Sequence, residues 1–69
     1  MDYQKELQEA REFAKKKGMI NGYFPVITEG WQNKKLVNIS IHFETYAHVG
    51  QIIDCGNGYV QKIIEIPEV

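Results

Sequence analysis

A chain of 69 residues, 43% hydrophobic and 25% charged, makes one small globular domain and leaves no room for a second. Eight basic and nine acidic residues give a formal charge of −1, which argues against a domain that holds phosphate backbones by bulk charge. No apolar run approaches the ~20 residues of a membrane span, no basic-then-apolar leader opens the sequence, and a lone cysteine excludes an internal disulfide and points to a reducing compartment, the cytoplasm.

A domain of this size buries only about 60% of the surface its unfolded chain exposes. Its core is thin and lacks disulfide or metal staples, so regular secondary structure or self-association has to hold it together.

Residues 2–17 are predicted helical. Asp2 suits the N-cap, where a carboxylate accepts from first-turn amides. Tyr3, Leu7, Ala10, Phe13 and Ala14 recur at helical spacing as one apolar stripe. Acids (Asp2, Glu6, Glu9) come first and Lys15, Lys16 and Lys17 last, in keeping with the helix dipole, and Gly18 is the stop.

From residue 19 the period changes. Residues 22–30 are aromatic and β-branched between glycines and read as a strand, and Pro25, which cannot donate to a ladder, assigns it to a sheet edge. Residues 36–46 alternate, with Val37, Ile39, Ile41 and Phe43 on one face and Asn38, Ser40, His42 and Glu44 on the other. A loop through Asn33, Lys34 and Lys35 joins these two strands as a hairpin, and residues 46–51 form the next connection. Two further strands, 51–56 and 59–66, flank Asn57-Gly58, the preferred pair for a two-residue type I′ turn. In that register Cys55 opposes Val60 and Ile53 opposes Lys62. Cys55, Ile53, Val60, Ile64 and Ile66 then share an inward face, with Lys62 out of place unless a bulge or strand end relieves it.

The expected architecture is α+β: residues 1–69 as a single domain, one N-terminal helix packed on one face of a four-stranded, mainly antiparallel sheet, in the order α-β-β-β-β. His42, Glu44, Gln61 and Tyr59 are expected on the other face.

Little in the chain suggests catalysis. Asp54 beside Cys55 opposes a thiolate, and buried free cysteine behaves as a small hydrophobe. A reactive Cys55 would need His42 or His48 within reach. His42, Glu44 and His48 match no zinc spacing, and Gly56-Asn57-Gly58 leads into a strand and not into a phosphate-binding helix. No catalytic residue, metal or cofactor is therefore assigned.

The remaining signal is aromatic. Trp31 lies in a loop-like stretch and Tyr23, Tyr46 and Tyr59 near strand ends or on the wet face, and such rings anchor interfaces. They point to a small non-catalytic binding or regulatory module acting through a protein partner or a second copy of itself, with no membrane partner. The alternative is a nucleic-acid binder using Lys15, Lys16, Lys17, Lys34 and Lys35, should the two clusters meet in space.

Overall fold

In the computed structural model, which describes residues 1–68, Asp2 caps α1 (Tyr3–Lys17), its Oδ1 accepting from the Lys5 amide at 3.1 Å. Gly18 ends the helix at φ 62°, where a side chain would be strained, and its N–H donates to the Ala14 carbonyl at 2.9 Å. Leu7, Ala10 and Ala14 are buried. Phe13 leaves the expected stripe: it is 46% exposed, with the Lys17 Nζ 5.7 Å from its ring centroid.

Four strands follow: β1 (Phe24–Gln32), β2 (Lys35–Glu44), β3 (Ile52–Gly56) and β4 (Tyr59–Glu65). They form one sheet in the order β2-β1-β4-β3, antiparallel throughout. The sheet is therefore two hairpins joined through their first and last strands. The α+β two-layer plan holds.

The expected edge position of β1 is corrected, since it lies between β2 and β4. Pro25 is accommodated because β4 pairing begins only at Ile27, leaving Pro25 opposite Phe43 with a neighbour on one side alone. The unbroken buried run Pro25-Val26-Ile27-Thr28 is what a strand covered on both faces requires.

Helix α1 packs on β2 and β1. Leu7, Ala10 and Ile27 form the core there, with Tyr3, Ile39, Ile41 and Ile64 partly buried around it. Arg11 fastens the helix to β4 by a forked pair with Glu65, its terminal nitrogen 2.7 Å and its Nε 2.9 Å from carboxylate oxygens. The Arg11 hydrogen bond holds the Glu65 carboxyl below the usual carboxylate range. Residues 45–51 carry the chain from one sheet edge to the other. They tie down beside Ile63, whose N–H donates to Gln51 O at 2.9 Å and whose carbonyl accepts from Gly50 N at 2.7 Å.

Both hairpins turn on two residues with positive φ, Asn33-Lys34 (49° and 67°) and Asn57-Gly58 (56° and 77°), as type I′ geometry demands. The turns lie side by side: Asn33 N–H donates to Gly58 O at 2.9 Å, and the Gln32 amide to Asn57 O at 2.8 Å.

The expected β3–β4 register is corrected. Gly56 closes the turn against Tyr59, but the next pair is Asp54 with Val60, so Cys55 is a bulge. Gly56 takes φ 82°, and Asp54 Oδ1 accepts its N–H at 2.9 Å. The aspartate and glycine thus build the bulge, and the slip moves Ile53 and Cys55 to the face away from α1. Cys55 is exposed, not inward-facing.

Candidate functional site

A helix about 10 Å across spans about two strands at ~4.8 Å spacing. Helix α1 lies on β2 and β1, so it leaves the β4–β3 half of the same sheet face bare. Cross-strand register places two rows of side chains there. One runs Trp31–Val60–Asp54 and the other Glu29–Lys62–Ile52, across β1, β4 and β3.

Between Trp31, Val60 and Ile52 the surface dips into an open, largely apolar hollow of about 560 Å³, with Asn33, Lys34 and Lys62 at its rim. Ile52 is 65% exposed. The Trp31 ring is held in place: its Nε1–H donates to Glu29 Oε1 at 3.1 Å, while the Tyr3 hydroxyl donates to Glu29 Oε2 at 2.6 Å. One carboxylate therefore links the start of α1 to the aromatic wall of the hollow. That hydrogen bond, then burial, raises the Tyr3 pKa, because ionisation would set a phenolate against a carboxylate. Among the described residues Arg11–Glu65 is the sole ion pair. Among the described residues no carboxylate pairs with the ammonium groups of Lys34 and Lys62.

The four aromatic anchors suggested by the sequence do not form one patch. Trp31, expected in a loop, is instead a residue of β1 paired with Leu36 and Val60, and it walls the hollow. Tyr59 lies on the opposite face, its hydroxyl accepting from Asn38 Nδ2 at 3.3 Å. Gly30 makes room for it, because a Cβ there would collide with Asn38 Oδ1 and the Tyr59 hydroxyl. Tyr23 closes the short turn that pairs Ile20 with Tyr23, and is 47% exposed. Tyr46 stands in the β2–β3 connection, 72% exposed and edge-on to the His48 ring.

The lysine clusters lie at opposite ends of the molecule. Tyr3 meets Glu29, and Arg11 meets Glu65, which pairs with Ile27. Helix α1 therefore runs away from the Asn33-Lys34 turn, carrying Lys15, Lys16 and Lys17 to the far end from Lys34 and Lys35.

On the face away from α1, Gln61 stands between His42 and Cys55, its Nε2 2.8 Å from His42 Nε2 and its Oε1 3.8 Å from Cys55 Sγ. His48 faces Tyr46 instead. Among the described residues no three His, Cys, Asp or Glu side chains converge on a metal-sized centre, and no helix is long and apolar enough to cross a membrane.

The hollow uses Ile52, Val60 and Lys62, none of which stands out in the sequence as a site residue. The one signal was Lys62, a cation at an apolar position of β4. It marks a stretch of the sheet face that no helix covers. Comparisons with protein-family models, curated proteins and solved structures give no match.

Proposed function

We propose that the protein is a small, non-catalytic binding module of the cytoplasm whose bare half-sheet takes up part of a protein partner. The observation that carries this reading is the half-covered sheet face itself: an exposed apolar hollow between Trp31, Val60 and Ile52, beside a strand with an open outer edge. Rigid aromatic anchors in shallow apolar surroundings are the usual centres of protein interfaces, and Glu29 pre-positions Trp31 so that less order is lost on binding. The exposed, unpaired Cys55 fits a reducing compartment.

The test is selection of displayed random 16-residue peptides on the immobilised full chain, with Ile52→Asp as the comparison. Ile52 is mostly exposed, so this variant keeps the fold, and an unchanged urea midpoint checks that. Enriched peptides that bind the parent and lose at least tenfold affinity for Ile52→Asp are expected. No enrichment, or enrichment indifferent to Ile52→Asp, overturns the reading.

A further inference from the structure

We infer that the occupant of the bare half-sheet is an amphipathic α-helix of a partner protein carrying acidic side chains beside its apolar stripe. The inference rests on the binding reading above and names the partner's chemistry.

Width comes first. The bare half is two strands across, and a two-strand width of ~9.6 Å is the footprint of one helix about 10 Å in diameter. Helix α1 already fills the other half in this way, over β2 and β1. Helices packed side by side sit about 8–10 Å apart, so a second helix beside α1 would complete the layer over β4 and β3. A single added strand at the β3 edge would leave Trp31 and Val60 uncovered.

Charge comes second. The charged groups on the rim of the hollow are Lys34 and Lys62, and both are cations. Two carboxylates share this face, Glu29 opposite Lys62 and Asp54 opposite Val60, but among the described residues neither forms an ion pair with Lys34 or Lys62: Glu29 is held by Tyr3 and Trp31, and Asp54 by the Gly56 amide. The rim therefore offers incoming carboxylates two ammonium groups that no carboxylate of the described residues pairs with.

The same charges argue against a second copy. A second copy brings its own Lys34 and Lys62 to the patch and no carboxylate from the lining of its hollow.

Spacing comes third. Lys62 and Gly58, the turn residue beside Lys34 on the rim, are four positions apart on the chain, about 13 Å at ~3.3 Å per residue. Two helical turns cover about 11 Å, and the lysine stems span the difference. The partner helix therefore carries carboxylates two turns apart, flanking apolar residues at i, i+3, i+4 and i+7.

The experiment uses three synthetic 16-residue peptides against the full chain. The first has this apolar stripe with glutamates two turns apart. The second has lysines in their place. The third is the acidic peptide with a proline at its centre. Trp31 fluorescence and backbone amide shifts at Ile52, Val60 and Lys62 report occupancy, and circular dichroism reports peptide helicity.

The acidic peptide is expected to bind at least tenfold more tightly than the other two, gain helicity on binding, and weaken as salt rises. Lys34→Glu with Lys62→Glu should reverse the preference toward the lysine peptide. Lys62→Gln, which adds no repulsion toward Glu29, should shrink the preference while keeping the fold. Equal affinity for the acidic and basic peptides, or undiminished binding of the proline peptide, overturns the inference and leaves the binding reading standing. A mass that doubles with concentration and stays single in Ile52→Asp assigns the face to a second copy and overturns it too. Silence of all three peptides, while random selection still yields Ile52-dependent binders, overturns the helix and keeps the module.

Discussion

The two halves of one sheet face differ sharply. Over β1 the face is dry where Ile27 lies fully buried under Leu7 and Ala10, flanked by the half-buried Ile39 and Ile41 of β2. Over β4 and β3 the same face leaves Ile52 65% exposed and Val60 half-buried beside Lys62, with the half-buried Trp31 of β1 at the border. The covered half is lined by Ile27, Ile39 and Ile41, whereas the bare half mixes Val60 and Ile52 with the charged Lys62 and Asp54. The helix, about two strands wide, covers only the first of them. The covered half holds the helix-packed core, and the bare half leaves apolar side chains such as Ile52 in water.

If that division is right, substitutions on the two halves have very different costs. The largest effect is expected for Ile27→Ala, which empties the centre of the covered half and should cost about 2–5 kcal/mol. That is a large share of the stability of so small a domain, and urea unfolding should show the variant partly unfolded in buffer. A loss below about 1 kcal/mol would mean that α1 is not the principal cover.

A smaller effect is expected from the two polar ties that hold α1 in place at the border of the halves. Arg11 depresses the Glu65 pKa, so that pair stabilises fully above the ordinary carboxyl pKa of about 4.3. Its contribution is lost as pH falls through the lower native value. Tyr3 has a raised pKa beside Glu29. Its contribution is present below the ordinary phenol value of about 10 and is lost as pH rises through the raised native value. Urea midpoints measured across pH should fall at both extremes. Glu65→Gln should flatten the acid limb and Tyr3→Phe the alkaline one. Both steps should be well below that of Ile27→Ala, since exposed pairs are screened. Limbs unchanged by these substitutions would remove the ties from the account.

The smallest effect is expected on the bare half. Ile52→Ala removes an exposed edge residue and should shift stability by no more than about 0.5 kcal/mol. A loss comparable to that of Ile27→Ala would show that something in the folded chain covers β3 in solution, and the contrast between the halves would collapse.

Much of the architecture was legible because local chemistry is decisive where it is strong. Asp2, the acid-to-lysine order and Gly18 bound the helix. The alternation of residues 37–43 placed Ile39 and Ile41 against the helix, although Val37, at a register shift, is 46% exposed, and Asn57-Gly58 located the second hairpin. Two misreadings share one cause, a local rule met by a neighbour further along the chain. Pro25 suggests an edge, but a proline needs only one free side at its own position, and β4 stops short of it. The Asn57-Gly58 turn suggests that Cys55 faces inward, but Asp54 captures the Gly56 amide and slips the register by one residue, which reverses the strand's faces.

The candidate site was less legible still. Trp31 was noticed as a ring near a loop. Its neighbours Ile52, Val60 and Lys62 come from strands that the sequence lists far apart, and only the order β2-β1-β4-β3 places them on one surface. By itself the sequence determined the helix, the four strands and their turns, because caps, periodicity and positive-φ residues act over a few positions. Tertiary structure alone decided which strand is central, how far the helix reaches and which apolar side chains stay in water. Those depend on the widths of packed elements and on pairings between residues distant in the chain.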